Sequence, residues 1–172
     1  QAFQGEGVHM GRPAFFIRTY GCPLKCTFCD SAGTWHPEHV PSEIKRATIG
    51  ELEEMVCLAK TKATEFVVIT GGEPTVHGNL NSFAKRLAKH LPIHLETSGA
   101  YPFDDVFEWV TVSPKIGSRD DVLDASLLAA DEVKVIVETP EDIARWVTRI
   151  ERKVSVGAEV WLHPEWSQRN NF

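Results

Sequence analysis

The chain lacks long apolar runs and an excess of positive charge, and both absences exclude classes of partner. No hydrophobic stretch approaches the roughly 20 residues that a membrane-spanning helix requires. Lys and Arg number 18 against 24 Asp and Glu, a formal charge of -6, and the basic residues are scattered along the sequence. A nucleic-acid partner would favour a basic patch or stripe. We therefore expect neither a membrane nor a nucleic acid as a partner.

Cysteine is scarce, with four in 172 residues. Because there is no signal-peptide pattern, we expect a cytoplasmic protein whose thiols stay reduced. Cys22, Cys26 and Cys29 lie together in "GCPLKCTFCDS" (21–31), and no fourth cysteine is nearby. A closed zinc site needs four ligands and a disulfide needs two, so this local count leaves one coordination position to explain.

Short β-branched and aromatic runs alternate with helical patterns, which is typical of βα units around a parallel sheet. The predicted strands are 14–20, 65–70, 93–97, 109–113, 132–137 and 158–163. We predict a single domain over residues 1–172, and the start at Gln1 and stop at Phe172 raise the expectation that terminal residues are missing.

Two helix starts carry capping signals. "TIGE" from Thr48 to Glu51 has the pattern of a capping box, and Thr139 precedes a proline at the first helical position. A further helix is predicted through "LNSFAKRLAKHL" (80–91), and a shorter one through "DVLDASLLAAD" (121–131).

The chemically unusual residues follow the predicted strands. The cysteine segment follows the first strand, "GGEP" (71–74) the second, "SGA" (98–100) the third, "SPK" (113–115) the fourth and "HPEW" (163–166) the last. In parallel α/β folds, ligands bind at the carboxyl ends of the strands. We therefore predict the functional site at that edge of the sheet.

The residues alone leave three interpretations of the cysteines open. A Cys3His zinc site would take His36 or His39 as its fourth ligand. Cys57 would be another fourth ligand, but its helical pattern favours a small buried hydrophobic role. In the third interpretation, three thiolates hold three irons of a 4Fe-4S cluster and leave the fourth iron open for an exogenous ligand.

The spacing Cys-x3-Cys-x2-Cys, with Phe28 before the last cysteine, resembles the cluster motif of the radical S-adenosylmethionine superfamily. "GGEP" is similar to that superfamily's motif for the methionine ammonium group, where Glu73 would supply negative charge. A further set of segments runs nearly end to end: "FQGEG", "FIRTYGC", "CDSAGTW", "TGGEPT", "ETSG", "TVSPK" and "EVKVIV". This set carries a narrower resemblance, to the 7-carboxy-7-deazaguanine synthases. It implies an α/β fold, an incomplete TIM-like barrel with six parallel strands and about three main helices.

The resemblance also implies the members of the site. Cys22, Cys26 and Cys29 would bind a 4Fe-4S cluster, and Ser31 would bind Mg²⁺. The contacts of S-adenosylmethionine would be Phe28, Asp30, Gly72, Glu73, Ser113, Pro114, Lys115 and His163. A pterin substrate would be held at its carboxylate by Arg18. Its other contacts would be Phe3, Gln4, Gly5, Glu6 and Thr70.

The implied reaction converts 6-carboxy-5,6,7,8-tetrahydropterin to 7-carboxy-7-deazaguanine with loss of ammonia, a step of queuosine synthesis. The cofactors perform the radical chemistry, so no side chain is expected as a catalytic acid or base. The implied partners are an electron donor such as flavodoxin or ferredoxin and a second copy in a homodimer.

Two other functions stay open at this point. A radical activase for a glycyl-radical protein would share the cysteines and "GGEP" but would not need Arg18 or Ser31. A Cys3His zinc-binding interaction module would need neither "GGEP" nor "SPK". Structural roles are also open, since Arg18 could pair with a structural carboxylate and Ser31 could bond its own loop.

Overall fold

A computed structural model of the chain describes residues 2–44, 46–115 and 120–168. The chain divides into two compact units. The first unit contains Gln1–Glu96 and Phe103–Glu108, and the second contains Thr97–Pro102 and Trp109–Phe172. The single domain remains a prediction, and each unit is described by itself.

The first unit is built on parallel strands that follow the chain order. Its strands are β1 (Ala2–Phe3), β2 (Pro13–Thr19), β3 (Phe66–Gly71) and β4 (Ile93–Thr97), and its helices are α1 (Ile49–Lys60) and α2 (Leu80–Leu87). β2 pairs in parallel with β3, and β3 with β4, whereas β1 runs antiparallel to β2. This places the carboxyl ends of β2, β3 and β4 at one edge.

One hydrophobic cluster holds the strands and helices of the first unit together. β3 is buried from Phe66 to Thr70, as expected for an inner strand of a parallel sheet. The cluster joins strand residues to residues of both helices, among them Ile17, Val67, Ile69, Leu95, Val56, Leu80, Phe83 and Leu87. Cys57 lies beside buried Val56 on α1 but is exposed, so the expectation of a buried hydrophobic role for it is wrong.

The helix starts predicted from the sequence are confirmed. The Thr48 hydroxyl accepts a hydrogen bond from the Glu51 amide at 3.3 Å, and the Glu51 carboxylate accepts one from the Thr48 amide at 2.7 Å. This backbone hydrogen bond from Thr48 lowers the pKa of Glu51. Thr139 forms the equivalent capping box with Asp142 and precedes Pro140.

The second unit contains three parallel strands in chain order and two helices. Its strands are β5 (Trp109–Val112), β6 (Glu132–Val137) and β7 (Glu159–Pro164), and its helices are α3 (Asp120–Leu128) and α4 (Pro140–Ile150). β6 contributes Val133, Val135 and Val137 to the buried interior. No helix in the described ranges is long and apolar enough to cross a membrane.

The structure differs from the sequence predictions in two counts. The described residues form seven strands, because the two-residue β1 adds an antiparallel strand to the six predicted. The same residues form four α-helices, whereas about three main helices were predicted. α2 ends at Leu87 rather than near 91: residues 88–90 form a turn, and Pro92 disfavours the helical conformation of Leu91.

Candidate functional site

The three clustered cysteines lie on a loop that closes on itself after β2. The Gly21 amide donates to the Thr34 carbonyl at 2.8 Å, which joins the beginning of the loop to its end. Cys22, Cys26 and Cys29 are half-buried within it, and none forms a disulfide. The Cys29 amide also donates to the Cys26 carbonyl at 3.3 Å, which makes a turn between the last two cysteines.

The cysteine loop supplies three thiols from one segment of the chain. Among the described residues, no group of three or more His, Cys, Asp or Glu side chains is arranged to hold one metal ion. In a zinc site all ligands bond to the same ion, at about 2.0–2.3 Å. In a 4Fe-4S cluster each thiolate bonds to a different iron, so three thiols are the donor set of a cluster whose fourth iron takes another ligand.

The glycine turn after β3 is hydrogen-bonded directly to the cysteine loop. The Gly72 amide donates to the Thr19 carbonyl at 3.0 Å, and the Glu73 amide donates to the Gly21 carbonyl at 2.9 Å. A Cβ atom on Gly72 would lie 2.1 Å from the Gly21 oxygen and 3.2 Å from the Cβ of Cys22. Glycine is therefore needed here because two backbone segments approach each other closely.

Glu73 is buried, with 1% of its surface exposed. One carboxylate oxygen accepts hydrogen bonds from the Thr75 amide at 3.2 Å and from the Thr75 hydroxyl at 2.7 Å. Through the amide contact, Glu73 caps the short 3-10 helix Pro74–Val76. These contacts give Glu73 a structural role, and its role toward the methionine ammonium group stays a prediction.

Arg18 and Ser31, which the sequence assigns to substrate and magnesium, lie in contact. The Arg18 guanidinium donates to the Ser31 hydroxyl oxygen at 3.1 Å. Arg18 is exposed near the end of β2, and no carboxylate pairs with it within residues 2–44, 46–115 and 120–168. The Ser31 carbonyl accepts separately from the Thr34 hydroxyl at 2.8 Å, so the backbone, rather than the hydroxyl, of Ser31 stabilises the loop.

The N-terminal residues predicted to bind substrate are anchored by one long-range contact. The Gln4 side-chain amide donates to the Glu96 carboxylate at 2.9 Å, and its oxygen accepts from the Gly5 amide at 2.8 Å. Phe3 on β1 is 70% exposed, and Glu6 is exposed as well. Glu96 lies in "ETSG" at the end of β4 and was not among the predicted site residues.

The remaining candidates of the first unit follow β2 and β3. Thr70 is buried near the end of β3 and is paired in register with Arg18. Phe28 is half-buried and Asp30 is exposed, both on the cysteine loop. That loop contains a second residue missed by the sequence predictions, Trp35, whose indole nitrogen donates to the Cys29 sulfur at 3.3 Å.

The candidates of the second unit lie at the ends of β5 and β7. The Lys115 ammonium donates to the Ser113 hydroxyl at 2.6 Å and to the Ser113 carbonyl at 2.9 Å. The Ser113 amide donates to the Thr97 carbonyl at 2.7 Å, and Pro114 is buried. His163 is half-buried on β7, where it is paired in register with Ile136.

Comparison with known proteins assigns the chain to a superfamily and then to a family within it. The profile described as the Radical SAM superfamily matches residues 16–161, so the cysteine loop and glycine turn belong to a radical S-adenosylmethionine protein. The chain is 42% identical over 166 residues to the 7-carboxy-7-deazaguanine synthase of Synechocystis sp., covering 96% of this chain and 74% of the relative. The chain belongs to the 7-carboxy-7-deazaguanine synthase family.

Two further similarities support this membership. The synthase of Prochlorococcus marinus is 38% identical over 151 residues, which cover 83% of this chain and 64% of that relative. The crystal structure of QueE from Escherichia coli matches with a TM-score of 0.73 and 30% identity, over 95% of this chain and 79% of that one. The chain therefore spans about two thirds to four fifths of the length of these relatives.

The comparisons confirm the predicted family, enzyme class and partial-barrel fold. Membership of the radical S-adenosylmethionine superfamily implies a 4Fe-4S cluster and S-adenosylmethionine as cofactors. They do not favour the glycyl-radical activase or the zinc-binding module.

Proposed function

We propose that the chain converts 6-carboxy-5,6,7,8-tetrahydropterin to 7-carboxy-7-deazaguanine with loss of ammonia, in the cytoplasm, as a step of queuosine synthesis. The observation that carries this proposal is the contact between Arg18 and Ser31 next to the cysteine loop. A carboxylated substrate bound through Mg²⁺ needs a cation and a hydroxyl oxygen close together, whereas a glycyl-radical activase needs neither.

Cys22, Cys26 and Cys29 would hold the cluster, on a loop that the hydrogen bond from Gly21 to Thr34 closes. When bound, the cluster and S-adenosylmethionine supply the one-electron chemistry that starts the reaction. The chain's own task is to orient the substrate and to exclude water. The half-buried cysteines and the backbone hydrogen bond from Glu73 to Gly21 support this role for the loop.

Arg18 would bind the substrate carboxylate. Its guanidinium is exposed and has a neutral hydroxyl partner, so it can exchange that partner for an anion. A charge-assisted hydrogen bond of this kind contributes about 1.5–3 kcal/mol. Ser31 would supply one oxygen to Mg²⁺, and substrate oxygens and water would complete the octahedral shell that this ion requires.

The remaining substrate contacts would come from the N-terminal segment and β3. Phe3 is exposed enough to cover a pterin ring, and Gln4 is oriented by its bond to Glu96. Gly5, Glu6 and Thr70 would complete this set. Contacts to S-adenosylmethionine would come from Phe28, Asp30, Gly72, Glu73, Ser113, Pro114, Lys115 and His163.

Two partners complete the proposal. A one-electron donor such as flavodoxin or ferredoxin would reduce the cluster, because radical S-adenosylmethionine chemistry starts from the reduced cluster and the chain itself supplies no reductant. We also propose that the protein acts as a homodimer.

The direct test is product formation by anaerobically reconstituted protein. Dithionite, S-adenosylmethionine, Mg²⁺ and the carboxylated tetrahydropterin are added, and the product is identified by mass spectrometry. We expect 7-carboxy-7-deazaguanine and ammonia in equal amounts. Cleavage of S-adenosylmethionine without this product would move the chain to another radical activity, and stoichiometric zinc in place of iron would contradict the radical mechanism.

A further inference from the structure

We propose that Trp35 is a positioning residue for the cluster, and that its indole N–H raises the cluster's reduction potential through Cys29. The proposal rests on the proposed function in one respect, that Cys29 is a cluster ligand. The indole nitrogen donates a hydrogen bond to the Cys29 sulfur at 3.3 Å.

The loop holds the indole in this place by its own backbone. The Trp35 amide donates to the Ala32 carbonyl at 3.0 Å at the end of the 3-10 helix Ala32–Thr34. Thr34, directly before it, is buried and accepts from the Gly21 amide at 2.8 Å. The closure of the cysteine loop and the position of the indole are therefore parts of the same local fold.

A ring contact fixes the orientation of the indole. The His36 ring meets the indole edge-on, with centroids 5.2 Å apart and planes 72° apart. Trp has a donor but no acceptor in its ring, so at Cys29 it can only donate. The arrangement suits a negatively charged sulfur, because a hydrogen bond to an ionised acceptor is stronger than one to a neutral group.

The chemical consequence follows from where charge accumulates. Reduction adds an electron to the cluster and its sulfur ligands, and a hydrogen-bond donor stabilises the reduced form more than the oxidised form. Hydrogen bonds to the sulfurs are among the factors that set cluster potentials. Trp35 would therefore ease the transfer of the first electron from the donor, without touching S-adenosylmethionine or the substrate.

The test separates the hydrogen bond from the packing of the ring. Trp35→Phe keeps an aromatic ring and removes the N–H group. Replacement of Trp35 by 3-benzothienylalanine, introduced by codon suppression, keeps the shape of the indole with sulfur in place of N–H. Trp161→Phe, at a 40% exposed position on β7, is the matched control. Iron content is measured first, and the potential is then measured by EPR-monitored redox titration without S-adenosylmethionine.

We expect both Trp35 replacements to bind iron as the wild type does and to be harder to reduce. At a fixed potential the ratio of reduced to oxidised cluster should fall about three- to tenfold, or about 28–59 mV for a one-electron couple. Trp161→Phe should keep the wild-type potential. Retention of the wild-type potential by the benzothienyl protein overturns the inference, even if Trp35→Phe shifts it or loses iron, because packing would then be the cause. A wild-type protein that binds no iron overturns the proposed function as well.

Discussion

The Arg18 guanidinium donates to the hydroxyl oxygen of Ser31 at 3.1 Å. The proposed function assigns this same oxygen to Mg²⁺. A divalent cation on the oxygen would place two positive charges next to each other unless Arg18 turns to an anion. The substrate carboxylate is the anion that the proposed function supplies, so binding of metal and substrate should be linked.

We therefore predict that Mg²⁺ alone binds weakly, in the millimolar range or worse, and that the pterin tightens it. The substrate should bind more tightly in Mg²⁺ by the same factor, as linkage requires. Ser31→Thr keeps the oxygen and should keep this coupling, whereas Ser31→Ala should lose it and slow turnover without changing the iron content. Titration calorimetry with each ligand, alone and with the other present, measures the factor. Substrate binding that is indifferent to both Mg²⁺ and the Ala substitution would exclude Ser31 as a metal ligand.

Arg18→Ala should weaken binding of the carboxylated pterin by about 1.5–3 kcal/mol, because one charge-assisted contact is lost. The cluster and the binding of S-adenosylmethionine should remain. Arg145→Ala is a suitable control, since Arg145 is an exposed arginine on α4 whose ion pair with Asp142 lies within one helix. Equal pterin affinity in the wild type and Arg18→Ala would make Arg18 a structural residue.

Replacing a cysteine of the loop should lower the iron content of the protein, whereas replacing Cys57 should not. Cys26→Ser should lose most of the about four irons per chain that a 4Fe-4S cluster contains, because a loop ligand is removed. Cys57→Ser changes an exposed residue of α1 and should keep them. The measurement is iron and sulfide analysis after anaerobic reconstitution, and iron loss in Cys57→Ser alone would contradict the proposed ligand set.

Much of the fold was predictable from sequence because buried parallel strands leave an unmistakable pattern. β4 (Ile93–Thr97) and β6 (Glu132–Val137) have the predicted bounds, since each contains regularly spaced β-branched or apolar residues between turn segments. β1 was missed because two residues are too few to show alternation. The exposure of Cys57 was also missed, because that expectation rested on the residue type: adjacent residues of a helix point about 100° apart, and on α1 Val56 takes the buried direction.

The order of the site residues was predictable, but their contacts were not. Each motif follows a strand, so the topology brings "GCPLKC" and "GGEP" to one edge of the first unit. The bond between Gln4 and Glu96 joins residues 92 positions apart, and no local pattern encodes it. The contact between Trp35 and Cys29 depends on a short 3-10 helix that only the folded loop defines.

Because the backbone approaches Gly72 closely, we predict that alanine is harmful at Gly72 but tolerated at Gly50. Gly72→Ala would place a Cβ atom 2.1 Å from the Gly21 carbonyl oxygen, so the glycine turn and the cysteine loop must move apart. We expect loss of stability and of iron, since the moving backbone is that of the cysteine loop. Gly50→Ala is the matched control, because a Cβ there meets nothing within 4 Å and alanine favours the helix by up to about 1 kcal/mol. The measurements are the iron content and the thermal unfolding of both variants. Normal iron binding by Gly72→Ala would contradict the prediction.

His94 should make the stability of the protein fall on mild acidification. Its ring is 7% exposed and stacks on Phe66, with centroids 4.1 Å apart, while His9 and Arg12 also lie against this cluster. Burial, and then the charges of His9 and Arg12, lower the pKa of His94 from 6.5 to about 3. Between these values the unfolded chain binds a proton at this residue and the folded chain does not, so the free energy of unfolding falls as pH falls from 6.5 toward 3.

This contribution is at most about 1.4 kcal/mol per pH unit, and no further stability is lost through His94 below its folded pKa. The range from pH 6.5 to 5 isolates it from the carboxylates, whose ordinary pKa values lie near 4. His94→Phe keeps the stacked ring and removes the titration. Urea unfolding of the wild type and the variant at pH 6.5 and pH 5 should show a smaller loss of stability in the variant. The same loss in both proteins would mean that His94 does not cause the acid sensitivity.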